Sequence, residues 1–180
     1  DRRAWQYLPG QRRVKIAPDF AFDTPNPGTG GTSTFDDVFL FLGSMDRFDF
    51  KLAGKKEMYV PYNANALVTA KEEEAFAKHH MNPDKLRWEL HRVWEVEANL
   101  KPGSKHIYGK RVFYLDEDTW TVMYEDAYDT RKQLWRIGVH PLMQFYDAKI
   151  PYYRANVWHD LNSGAYYAAG LDNEIKKPWD

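Results

Sequence analysis

Between residues 87 and 146, apolar and polar side chains alternate with a period of two, interrupted at DEDT and DTRK. This pattern predicts four antiparallel strands, at 87–100, 107–115, 120–128 and 133–146. Upstream, Trp5 to Leu8 and Arg12 to Ala17 flank Pro9-Gly10, which predicts a hairpin. Residues 23–34, DTPNPGTGGTST, read as a surface loop. Thr34, three residues before Asp37, opens a predicted helix over 35–42 that ends before Gly43. Thr69 with Glu72 opens another over 70–80, stopped by Asn82-Pro83. A strand over 57–62 sits at a sheet edge, because Pro61 cannot donate to a ladder. Residues 151–169 are aromatic and strand-like.

The meander carries a testable register. With Asp116 opposite Thr119 and Asp129 opposite Lys132, Phe113, Val122 and Val139 align on one face, as do Arg111, Tyr124 and Ile137; Leu115, Trp120 and Pro141 follow. Pairing Leu100 with Ile107 sets Trp94 beside Phe113. One face is then apolar: Trp88, Leu90, Trp94, Val96, Phe113, Leu115, Trp120, Val122, Tyr124, Trp135, Ile137 and Val139. The other carries Glu97, Lys110, Glu125 and Arg136 as a solvated row of alternating sign. Arg92 and Arg111 interrupt the dry face, with Asp126 diagonal to Arg111. A few polar groups on an apolar surface are the makeup of a ligand cavity. An ordinary core covered by the two helices, or ion pairs without a binding role, fits equally well.

Composition narrows the chemistry. The 180 residues are 43% hydrophobic and carry 7 Trp, 12 Tyr and 10 Phe, enough for one folded domain without disulfides. The absence of cysteine removes thiol nucleophiles, zinc ribbons and iron–sulfur clusters. A net charge of −1 gives no overall attraction to nucleic acid, and the basic N-terminal residues Arg2, Arg3, Arg12, Arg13 and Lys15 read as a solvated face. Purely apolar runs reach only five residues, as in Val38 to Leu42, so no helical span across a bilayer is expected. The chain opens on Asp1 with neither an initiator Met nor a signal peptide, the reading of a processed or truncated chain.

Catalytic and metal motifs fail on spacing. Gly28-Thr29-Gly30-Gly31 lacks the third glycine of a dinucleotide loop and the lysine of a P-loop. Asp116-Glu117-Asp118 lacks the Gly and Glu of a calcium loop and reads as a hairpin turn. His79-His80 are adjacent on a helix end, and His159-Asp160 are neighbours on a strand and face opposite sides. There is no GxSxG, and Glu72-Glu73-Glu74 is a charged helix surface. The expectation is a protein that is not an enzyme, with no cofactor and no metal.

Three stretches, RAWQYLPGQRRVKIAP, FDDVFLFLGSMDRFDFKLAGKKEMYVPYNAN and LRWELHRVWEVEANLKPGSKHIYGKRVFYLDEDTWTVMYEDAYDTRKQLWR, resemble a bacterial family known as domain of unknown function 1329. It is grouped with outer-membrane lipoprotein-sorting proteins of the LolA/LolB type. The resemblance implies a mainly β (α+β) fold: a curved antiparallel sheet, an unclosed half-barrel with short helices on its concave side. This chain, residues 1–180, would be the C-terminal portion of a larger domain. It implies a periplasmic carrier of a hydrophobic small molecule, lipid or lipoprotein, associated with resistance-nodulation-division type exporters. The expected ligand-binding residues are Trp88, Leu90, Arg92, Trp94, Arg111, Phe113, Trp120, Val122, Tyr124 and Ile137, with no catalytic residues. An unpaired sheet edge would invite a homodimer. A non-catalytic carbohydrate-binding or scaffolding module using Trp and Tyr platforms is the alternative.

Overall fold

The computed structural model describes residues 5–8, 12–16, 22–153, 155–171 and 173–174. Eleven strands are present among them: β1 (Trp5–Leu8), β2 (Arg13–Ile16), β3 (Phe48–Pro61), β4 (Trp88–Leu100), β5 (Tyr108–Asp116), β6 (Val122–Asp129), β7 (Leu134–Val139), β8 (Leu142–Phe145), β9 (Ile150–Tyr153), β10 (Asn156–Asp160) and β11 (Ala165–Ala169). β1 and β2 pair as the expected hairpin, whose Pro9-Gly10 turn lies outside the described residues. One antiparallel sheet has the order β11-β10-β7-β6-β5-β4-β3, and β8-β9 form a separate ribbon. The single predicted strand 133–146 divides into β7 and β8 at His140-Pro141, where proline removes a ladder donor.

The sheet curls and does not close. β3 and β6 are separated by two strands, which in a flat sheet would place them roughly 14 Å apart. Yet the Tyr124 hydroxyl donates to the Tyr59 carbonyl at 2.8 Å, and Met58 and Val60 share a core with Tyr124 and Tyr128. The face carrying Val60, Val93, Val112 and Tyr114 is therefore the concave one. Two short helices, α1 (Asn65–Thr69) and α2 (Glu72–Ala75), cover its far end, packing Leu67, Ala70 and Ala75 against Val139, Val157 and Tyr166.

The expected helix over 70–80 is much shorter. Ala70 and Lys71 are extended (ψ 148° and 154°), so Thr69 ends one helix instead of capping the next, and Phe76 bridges to Met81. The expected helix over 35–42 is a single 3-10 turn, Val38–Leu40, in which Phe39 and Leu40 hold left-handed φ of 59° and 62°. Residues 22–47 form a strap across the convex face instead. Its Thr29, Thr32, Ser33 and Thr34 are buried, which corrects the surface-loop reading; Thr32 Oγ1, for example, donates to the Thr29 carbonyl at 2.8 Å.

The register also departs from expectation. Phe113 pairs with Val96 instead of Trp94, two residues along, and with Glu125 instead of Val122, three along; Tyr124 pairs with Val139 instead of Ile137, two along. Even slips preserve faces, but the odd slip between β5 and β6 exchanges them. Lys110 and Glu125 consequently lie on opposite faces, and the proposed charged row does not exist. Lys110 pairs with Glu97 at 2.6 Å on the concave side, while Glu125 is buried beneath the strap. The cause is turn length. The β5–β6 connection is closed by Asp116 N–H donating to the Thr121 carbonyl, with Trp120 left-handed (φ 58°), and the β6–β7 connection by Asp129 N–H donating to the Gln133 carbonyl, with Lys132 at φ 65°. Neither is a two-residue turn.

Candidate functional site

The convex face is where chemistry and apolar surface meet. Arg111 on β5 is fully buried under the strap, and every guanidinium nitrogen is engaged. Nε donates to Glu125, Nη1 to Asp36 Oδ2 at 3.0 Å, and Nη2 to Asp37 Oδ1 at 3.0 Å and the Leu40 carbonyl at 2.7 Å. His106 Nδ1 accepts from the Tyr108 N–H at 3.0 Å, leaving Nε2 to donate to Asp36 at 2.9 Å. Tyr108 Oη donates to Asp37 at 2.9 Å and accepts from Arg136 Nη1 at 2.9 Å, and Arg136 Nη2 reaches the Gly31 carbonyl at 2.7 Å. These contacts hold the strap on the sheet.

Three carboxyls around one arginine cannot all ionise cheaply. Burial pushes Glu125 up, to about 8, against the pull of Arg111. Burial likewise raises Asp37, whereas in Asp36 the same penalty is outweighed by Arg111 and His106, and its carboxyl falls below the usual range. The folded value of Glu125 exceeds that of a free glutamate, about 4.3. Its contribution to stability is therefore complete below that pH and is lost as pH rises toward about 8. Glu125→Gln keeps an acceptor for Arg111 without a titrating proton. Its stability relative to the parent, from urea midpoints, should rise by on the order of 3 kcal/mol between about pH 5 and pH 8; a difference independent of pH would show that Glu125 is ionised throughout.

Beside this latch runs an apolar cleft of about 160 Å³, walled by Phe50, Val96, Phe113, Leu115 and Val122 from the sheet and Phe41 and Met45 from the strap. Leu42, Met45 and Leu52 are exposed beside it.

The ten expected binding residues do not share one surface. Leu90, Arg92, Trp94, Arg111, Phe113 and Val122 fall on the convex side. Of these, Phe113 and Val122 line the cleft, and Arg92 is exposed and paired with Glu117 at 2.7 Å. Trp120 projects from its loop at 66% exposure and stacks on Trp94 at 6.4 Å. Tyr124 and Ile137 face the concave side, and Trp88 lines a second apolar cleft of about 240 Å³ with Met81, Leu86, Val139 and Val157. Asp36 and His106 were not singled out from the sequence, Asp37 was read only as part of a helix start, and Glu125 only as part of a solvated row. Their signal is the pair of acids inside FDDVFLFLG, which also satisfies a helix start. His159 and Asp160 do part, His159 stacking on Tyr166 and Asp160 accepting from Trp135 and Arg136.

The curled, unclosed antiparallel sheet with short helices is shared with solved structures of low sequence identity. The LolA superfamily protein NE2245 of Nitrosomonas europaea superposes with a TM-score of 0.50 over 93% of this chain and 59% of its own, at 9% identity. A Vibrio parahaemolyticus domain described as outer membrane lipoprotein-sorting does so with a TM-score of 0.58 at 16% identity, covering 92% of this chain and 56% of its own. The chain belongs to the family described as protein of unknown function (DUF1329), whose model matches residues 1–180. It is 46% identical over 181 residues to the uncharacterized protein PA3922 of Pseudomonas aeruginosa, covering 99% of this chain and 40% of that protein. The chain thus spans well under half the length of this curated relative. Among the described residues, no helix is long and apolar enough to cross a membrane.

Proposed function

We propose that this chain is part of an extracytoplasmic carrier that shields the acyl chain of a lipid or lipoprotein, working by burial and without covalent chemistry. The observation that carries the reading is the apolar cleft on the convex face, where sheet and strap present only hydrocarbon and aromatic side chains. Each methylene withdrawn from water there contributes about 0.8 kcal/mol, so part of one acyl chain gives useful affinity. The likeness in fold to a domain described as lipoprotein-sorting supports the same reading. Periplasmic residence and delivery to a resistance-nodulation-division type exporter belong to this proposal.

Val122 is half-buried at the cleft wall. Val122→Asp places a carboxylate where it stays hydrated at the mouth yet repels hydrocarbon. Uptake of a fluorescent fatty-acid analogue should fall at least tenfold while the melting temperature changes by only a few degrees. Unaltered uptake in the folded variant would remove the cleft from the function. A collapsed melting curve would return this face to a plain core.

A further inference from the structure

A polar cleft of about 280 Å³ opens where β5 ends, lined by Glu57, Leu90, His91, Arg92, Glu117 and Asp118. His91 comes from β4, Asp116 closes β5, and Asp118 lies in the following loop; one potential donor atom from each falls within 4.8 Å of the others. One imidazole nitrogen and two carboxylates are the three protein donors of an open tetrahedral site whose fourth position takes water.

Hydrogen bonding at the ring supplies a second, independent observation. His91 Nδ1 stands 2.7 Å from Asp116 Oδ1, and Nε2 stands 3.4 Å from Glu89 Oε2. Ionised carboxylates only accept, and a neutral imidazole carries one proton. Both ring nitrogens thus face carboxylate oxygens, the arrangement in which one carboxylate can orient the ring while the other shares a cation with it. Asp116 is fully buried, and its Oδ2 is already occupied by the Thr119 N–H and hydroxyl at 2.9 and 2.8 Å, so Oδ1 is the atom aimed at the ring. Glu89 is itself fixed by Asn63 at 2.8 Å and Arg87 at 2.7 Å. It therefore occupies the place of the outer carboxylate that orients a metal-binding histidine through its second nitrogen. The ring is further fixed against Tyr62, 4.2 Å between centroids.

We propose that His91 Nδ1, Asp116 Oδ1 and an Asp118 oxygen bind a divalent transition-metal cation of the zinc class. The ion replaces the proton between Nδ1 and Asp116, while Nε2–H remains on Glu89. Bonds of about 2.1 Å in a tetrahedron set donors roughly 3.4 Å apart, so the 2.7 Å contact opens by a fraction of an ångström. An imidazole donor selects zinc over calcium or magnesium. Arg92, which lines the cleft, and Lys55 are both engaged by Glu117, and Arg87 by Glu89. The sequence expectation of no metal rested on local spacing, at Asp116-Glu117-Asp118 and His79-His80, and on the absence of cysteine; His91, 25 residues upstream of Asp116, enters the group through strand pairing alone.

The test is titration of the chelator-stripped full chain with Zn²⁺ alone, read by a competing chelating dye, together with the visible spectrum of the Co²⁺ form. One equivalent should bind per chain, with tetrahedral absorption for cobalt. Asp118→Asn, at an exposed loop position, should weaken zinc at least tenfold, His91→Gln should abolish it, and Glu89→Gln should weaken it about 10- to 100-fold. Circular dichroism verifies that each variant is folded, and Asp118→Asn decides the matter if His91→Gln is not. No saturable uptake by the parent chain overturns the proposal, as does uptake that Asp118→Asn leaves unchanged.

Discussion

Arg111→Met should cost about 3–5 kcal/mol of stability, close to the whole margin of an ordinary domain. The reason lies in what remains behind. Asp36, Asp37 and Glu125 stay buried with their shared cation gone, and the Leu40 carbonyl loses its donor. Lysine should not rescue: one ammonium cannot reproduce three nitrogens directed at Glu125, Asp36 and Asp37. The aromatic packing would be lost too, since the guanidinium lies 5.1 to 5.3 Å from the Phe41, Tyr108 and Phe113 ring centres. Chemical denaturation decides it. A native-like midpoint in Arg111→Met would mean that the strap is held by its apolar contacts alone.

Gly138→Ala should cost about 2 kcal/mol, against the usual preference for alanine over glycine within a strand. A Cβ at this position of β7 would run into Leu40 Cδ2 and stand 3.5 Å from Glu125 Cβ. Leu40 is fully buried and its carbonyl is tied to Arg111, so it has little room to retreat. The loss should be recovered in part when Leu40 is shortened to alanine in the same chain, a coupling that a double-mutant cycle from thermal melting measures directly. A stabilised Gly138→Ala would show that the strap yields at this point.

The two substitutions mark where the sequence was readable. The strands at 87–100, 107–115 and 120–128 were legible because half-buried strands impose a period of two, and each was found within two residues of its expected limits. Their mutual alignment was not. It depended on Trp120 and Lys132 adopting left-handed conformations, which favour glycine or asparagine and which neither residue advertises. The resulting odd slip moved Tyr124 and Ile137 away from Phe113 and carried Glu125 under the strap. The helix expected over 35–42 failed for a related reason. Acids before an apolar run satisfy a helix start as well as they satisfy a buried arginine, and only contacts 74 to 75 residues away distinguish the two. The apolar cleft was half legible: Phe113 and Val122, on the expected dry face, line it, but its other wall, Phe41 and Met45, comes from a strap that was read as a loop over 23–34 and a helix over 35–42.

β3 is the last strand of the sheet among the described residues, and it runs for 14 residues. So long a margin would ordinarily template another chain and seed aggregation. This one is guarded. Lys51, Lys55 and Lys56 distribute charge along it, the ladder is interrupted between Leu52 and Gly54, and Pro61 ends it without a donor. These features discourage copies of the protein from joining edge to edge into fibrils.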